Sequence, residues 1–199
     1  MPLTLHPDSI CAVGAIDVEV ARVAPRRIEL RFFILGGAEH IKAAPPRTMR
    51  KRADDLWMTT CFEAFVQAEG DTAYHEFNFA TSGNWAAYRF EARREGRANA
   101  RVGEPQVEWS RDLPFVLGET PSAAERAAFK AENGWLRGRL VLDQAADLPL
   151  DRPWRFGLTA VIEEKSGRKS WWALAHPPGE PDFHDPACFT LELPAVRRG

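Results

Sequence analysis

The chain has 199 residues, 45% of them hydrophobic and 27% charged, with a formal net charge of −2. That length suffices to bury one good core, so one domain covering residues 1–199 is expected. A net charge this small gives no long-range field to recruit nucleic acid or an anionic membrane, and neither is expected as a partner.

In chain order, the opening Met-Pro-Leu-Thr-Leu-His-Pro-Asp lacks a basic start followed by an apolar stretch, and no run of ~18 apolar residues occurs, so a cytoplasmic location is expected. Alternation of period two recurs from end to end, and Ile28, Leu30, Phe32 and Ile34 read as one face of a strand. Gly36-Gly37 ends it as a turn, and residues 42–55, with Pro45-Pro46 and a basic cluster, read as a loop. Two aromatic-rich strands follow, Trp57 to Phe65 and Tyr74 to Trp85, joined through Gly70-Asp71. Arg89, Arg93, Arg94, Arg97 and Arg101 come next with Glu91 and Glu95 among them, the composition of a solvated hairpin edge protected from pairing. Thr120 to Asn133 predicts a short surface helix over about 122–132, with Pro121 near its start, Ser122-x-x-Glu125 as a capping box and Gly134 to end it. Strand alternation then resumes: Leu136, Leu140 and Leu142 on one face; Trp154, Phe156, Leu158, Ala160 and Ile162 on another; and Phe189, Leu191 and Leu193 near the end. About ten strands and one helical insertion predict an all-β fold, a two-sheet sandwich of immunoglobulin-like or jelly-roll type.

Three cysteines, Cys11, Cys61 and Cys188, cannot all pair within one chain, and none stands in Cys-x-x-Cys spacing, so free thiols are expected. Alternation places Tyr74, Glu76 and Asn78 on one face of their strand and His75, Phe77 and Phe79 on the other, with Glu63 on the neighbouring strand. Carboxylates and amides beside aromatics are the means by which a small polyol is held, hydroxyls by hydrogen bonds and the apolar sugar face by Trp57, Trp85 or Tyr88. A solvated face with cross-strand pairs is the competing reading of the same residues. Of the adjacent Trp171 and Trp172, one should enter the core and the other should not. His176, Asp182 and His184 lie on a Pro-stiffened loop, where they are chemically able to bind metal or haem or, more simply, to fix the loop. Glu63 and Glu76 could also serve as acid and base on a sugar. No Gly-x-Ser-x-Gly elbow, His-Glu-x-x-His, phosphate-binding Gly-rich loop or dinucleotide fingerprint is present, so non-catalytic binding is the leading expectation.

The blocks Leu56 to Val66, Tyr74 to Tyr88, Trp172-Ala-Leu-Ala-His-Pro and Pro181 to Phe189 together resemble the DOMON-like domains related to family 9 carbohydrate-binding modules, over residues 10–194. The resemblance implies a β-sandwich whose relatives bind sugars or haem at the sheet surface. Trp57 and Glu63 match its early block, Tyr74, Phe77, Asn78 and Gly83 its next, and His184, Pro186 and Phe189 its last. Thr190 stands where sugar-binding relatives often have Gly, and Trp171 and Trp172 are nearest by position to the rings that sandwich sugar. If haem were bound, the resemblance implies Met49 or Met58 with His176 or His184 as axial ligands. Calcium near residues 180–186 is the remaining cofactor possibility, although few acids gather there.

Overall fold

The computed structural model describes residues 1–45, 48–112 and 121–196. The described residues form twelve strands: β1 (Pro2–Leu5), β2 (Ala15–Ala24), β3 (Arg27–Leu35), β4 (Cys61–Ala68), β5 (Tyr74–Ala80), β6 (Trp85–Phe90), β7 (Ala98–Asn99), β8 (Gly103–Ser110), β9 (Gly134–Val141), β10 (Trp154–Glu163), β11 (Lys169–Ala173) and β12 (Leu191–Leu193). The sequence points to about ten, and the difference lies in pieces such as the two-residue β7, too short to carry an alternation. The helix α1 (Ala123–Glu132) has the expected capping box, Ser122 accepting from the Glu125 N–H while Glu125 accepts from the Ser122 N–H. Asn133 rather than Gly134 caps its other end, because Gly134 already begins β9. No helix among the described residues is long and apolar enough to cross a membrane.

All pairing within the sheets is antiparallel, in the order β7-β6-β5-β4-β10-β11-β1-β2-β3-β9-β8, with β12 beside β10. The path folds into two layers at β1. Pro2 and Leu3 pair with β2, whereas Thr4 and Leu5 pair with β11, so one short strand serves as the corner of both sheets. Gly37 helps form the β3 exit, with φ 78° and a position at which a Cβ would stand 2.2 Å from the Ala12 carbonyl oxygen. Gly70, Gly83 and Gly167 take the left-handed conformations expected of the turns they mark.

Between the layers, the residues that alternation assigns to a common face do meet. Phe32 of β3 lies 5.2 Å from Phe62 of β4 between ring centroids, and Phe62 lies 6.1 Å from Trp109 of β8. Trp154, Phe156, Leu158, Ala160 and Ile162 all enter this core, as do Leu136, Leu140 and Leu142. Phe189 departs from the expected pattern, because it closes a 3-10 turn and packs on the opposite side of the sheet from Leu191 and Leu193. Each large apolar side chain removed from water stabilises the fold by roughly 1.5–3 kcal/mol before cavity effects are counted.

Phe62 bridges the layers and is fully buried, so Phe62→Ala should lower unfolding free energy by about 3–5 kcal/mol in urea titrations. A loss below ~1 kcal/mol would contradict the packing of the two layers through this ring.

Candidate functional site

The second layer's outer face is where the chain departs from an ordinary sandwich. Every residue of β4 and of β5 is buried, on both faces. Strand register explains which side chains share the outer face. Trp171, Val161, Cys61 and Ala80 form one row across β11, β10, β4 and β5; Thr159, Glu63, Asn78 and Ala86 form the next; and Phe65, Glu76 and Tyr88 form a third. Segments outside the strands cover this face: the turn Leu56–Met58, the tight loop 91–97 after β6, and the loop 181–189. Between face and cover lies a cavity of about 410 Å³, within the range of small-molecule sites.

Six of the twelve candidate residues line this cavity: Trp57, Glu63, Glu76, Tyr88, Trp171 and His184. Trp171 is thus the outward member of its pair, and Trp172 packs in the inter-layer core with its indole N–H donating to the Ser170 hydroxyl. Tyr74 and Asn78 support the lining residues from behind. The Asn78 amide donates to Glu76 Oε1 at 2.6 Å, and the Tyr74 hydroxyl lies 2.7 Å from His184 Nδ1. Trp85 belongs to the opposite face, buried between the layers under the Arg52 guanidinium, so parity removes it from the site. His176 is elsewhere too, in edge-on contact with His6 and with Nε2 donating to the Thr4 carbonyl. Asp182 lies just outside, bound by Arg93 and Arg94.

Several lining residues escaped the sequence reading: Phe65, Phe90, Arg94, Arg97, Val161, Pro181 and Phe183. Phe65 and Phe90 share parity with Glu63 and Tyr88 on their own strands, and Val161 has the parity opposite to the core residues Ala160 and Ile162, so their outward face could have been found from alternation. The arginines read as edge charges, and only the loop's fold brings them over the sheet. Arg94 adopts a left-handed φ of 59°, and its backbone N–H donates to the Tyr74 oxygen at 3.2 Å. That donor leaves the Tyr74 hydroxyl hydrogen for His184 Nδ1, which assigns the remaining imidazole proton to Nε2, 3.7 Å from Glu76 Oε2.

Burial governs the electrostatics. Desolvation, then the neighbouring Glu76 charge, pushes the Glu63 carboxyl well above the usual range despite a 3.0 Å hydrogen bond from Thr159 Oγ1. Desolvation raises Glu76 as well, and the opposing influence of Asn78, Arg97 and Arg94 does not cancel it. His184 is held down to about 4, first by burial and then by Arg94, so it is neutral at physiological pH. Asp182 shows the contrast: burial would raise it, but hydrogen bonds from Arg93, Arg94 and the His184 N–H hold it at about 2. Tyr88 donates to Asp54 at 2.6 Å, and burial together with that carboxylate raises its proton affinity.

The donor set does not fit the cofactors considered. His184 has Nδ1 engaged by Tyr74 and Nε2 turned to Glu76, and neither Met49 nor Met58 lines the cavity, so the axial pair implied for haem does not converge. Asp182 and Asp185 already bind Arg93, leaving a poor oxygen set for calcium, and no group of three or more acidic, His or Cys ligands exists among the described residues.

No protein-family model matches the chain, and no curated protein matches it in sequence. In fold it is similar to the crystal structure of a proposed carbohydrate-binding protein from Bacteroides uniformis ATCC 8492, with TM-score 0.56 and 17% identity over 94% of this chain and 84% of that chain. At that identity the likeness establishes a shared architecture.

The raised proton affinity of Glu63 has a measurable sign. Above an unfolded pKa of about 4.3 the folded chain binds more protons than the unfolded one, so stability falls as pH rises until the folded pKa is passed. His184 acts oppositely, adding stability as pH climbs from about 4 toward 6.5, but it is common to wild type and Glu63→Gln and drops out of their difference. Glu63→Gln should therefore gain stability relative to wild type between about pH 5 and pH 8, by on the order of 1–2 kcal/mol in urea titrations. A difference independent of pH would show that Glu63 is not desolvated.

Proposed function

We propose that the chain binds a small carbohydrate in the cavity on the outer face of the second layer. The observation that carries this reading is the meeting of Trp57, Trp171 and Tyr88 with Glu63 and Glu76 around one concavity. Indole and phenol rings provide surface for the apolar face of a sugar ring, and buried carboxylates fix the direction of its hydroxyls. Trp57 is half exposed on its turn, which suits a ring at the mouth, while Trp171 stands on a sheet strand and suits a rigid wall. The fold shared with the proposed carbohydrate-binding protein of Bacteroides uniformis supports the same reading.

Titration of the purified chain with a panel of mono- and oligosaccharides should quench tryptophan fluorescence saturably, and Trp171→Ala should weaken the bound sugar at least about tenfold, roughly 1.4 kcal/mol. No response to any sugar at millimolar levels would overturn the proposal.

The two acids favour a second reading. A carboxyl that keeps its proton near neutral pH beside a second carboxyl has the chemistry of a general acid and its partner on a glycosidic bond. On this reading aryl glycosides are hydrolysed, and Glu63→Gln and Glu76→Gln each abolish turnover while leaving the circular dichroism spectrum intact. Absence of turnover across a panel of aryl glycosides would discard it.

A further inference from the structure

Five glutamates are buried among the described residues, and they divide into two kinds. Glu29 is bound by Arg31 and Arg139, Glu163 by Lys42 at 2.9 Å, and Glu164 has Arg168 at 4.0 Å. Glu63 and Glu76 have no arginine or lysine within that distance among the described residues. Glu76 is 5% exposed, gives Oε1 to Asn78 and leaves Oε2 without a hydrogen-bond donor, the nearest being His184 Nε2 at 3.7 Å. Glu63 is 3% exposed and receives a hydrogen bond from the Thr159 hydroxyl.

The two cations of the lining do not fill this gap. The Arg94 guanidinium is bound by Asp182, which lies outside the cavity. The Arg97 guanidinium sits over the Tyr88 ring, 5.1 Å from its centroid. His184 is neutral, with burial holding it near 4, and Tyr74 keeps its proton. A buried acid pair without a basic partner is a costly arrangement in a fold that supplies such partners elsewhere.

Resting on the carbohydrate reading, we propose that the ligand is an amino sugar whose ammonium group sits between Glu63 and Glu76. The ammonium supplies the missing counter-charge and donates to Glu76 Oε2, the open acceptor on the cavity wall. The remaining hydroxylated ring lies against Trp57 and Trp171, whose faces attract both its C–H groups and the cation. A neutral hydroxyl at the same place would bring no charge to favour the ionised form of either carboxyl, and an N-acetyl group would likewise bring no charge and a bulkier substituent.

Isothermal titration at neutral pH should compare glucosamine, galactosamine and their short β-1,4 oligomers with the corresponding neutral and N-acetylated sugars. The amine is expected to bind at least about tenfold more tightly than its neutral counterpart, and this ratio should fall as salt is raised. In Glu76→Gln and in Glu63→Gln the ratio should collapse toward one, with thermal melts verifying the fold. Neutral or N-acetylated sugars that bind as tightly as the amines would overturn the inference and leave the carbohydrate reading intact. Failure of every sugar to bind would overturn both.

Discussion

The site depends on one packing arrangement: the loop 181–189 held down on the outer face of β4. Phe189 stacks on Phe65 with centroids 5.7 Å apart, and His184 meets the same ring edge-on at 5.2 Å. Contacts of this kind each contribute about 0.5–1.5 kcal/mol beyond the area they bury. Gly157 sets the depth of the seat, because a Cβ there would stand 2.6 Å from the Phe189 ring. A strand position without a side chain on β10 thus admits the ring that anchors the cover. With the cover in place, Glu63 and Glu76 lose water, and their raised proton affinity follows. Without it, the same residues would be an acidic patch on an open sheet.

The opposite layer shows what an uncovered face looks like in this chain. On β3, β8 and β9 the outward face carries paired charges, Glu29 with Arg31 and Arg139, and Arg137 with Glu108, beside partly exposed Phe33 and Trp135. The Arg137–Glu108 pair is mostly exposed and contributes little to stability, and such side chains chiefly keep a sheet face soluble. The two layers therefore share an inner core and differ in what lies outside it. Among the described residues the second layer has a cover rich in aromatic residues, and beneath that cover polar side chains meet a cavity.

Much of this was legible in the alternation of residues along single strands. Phe62, Ala64 and Val66 against Glu63 and Phe65, or Phe77 and Phe79 against Glu76 and Asn78, separate the inner and outer faces without any structure. The same rule settles Trp85 and Tyr88, three positions apart on β6 and so on opposite faces; treating both as ligand candidates neglected parity. What sequence could not supply is register between distant strands. Nothing in the chain order says that Cys61, Val161 and Trp171 stand side by side, or which of Trp171 and Trp172 faces outward. The cover was least legible. The arginines of residues 91–97 have an edge-like composition, and their place over the sheet depends on a left-handed Arg94 and on Tyr74, twenty residues earlier.

The acid pair also argues against reading this cavity as a by-product of packing. Two buried carboxyls cost several kcal/mol of solvation, and apolar residues of similar size at such positions commonly leave a fold as stable or more so. Their neighbours do not neutralise them, since Asp182 draws the Arg94 guanidinium away from the floor and Tyr74 orients His184 as a neutral imidazole. The polar groups nearby are arranged to orient the acids: Asn78 holds one oxygen of Glu76, and Thr159 one of Glu63. Orientation without neutralisation supports the proposed acceptance of a donor from outside the chain. A fold that spends stability in this way, at a face it also roofs with aromatic rings, carries a local conflict that supports the proposed binding role.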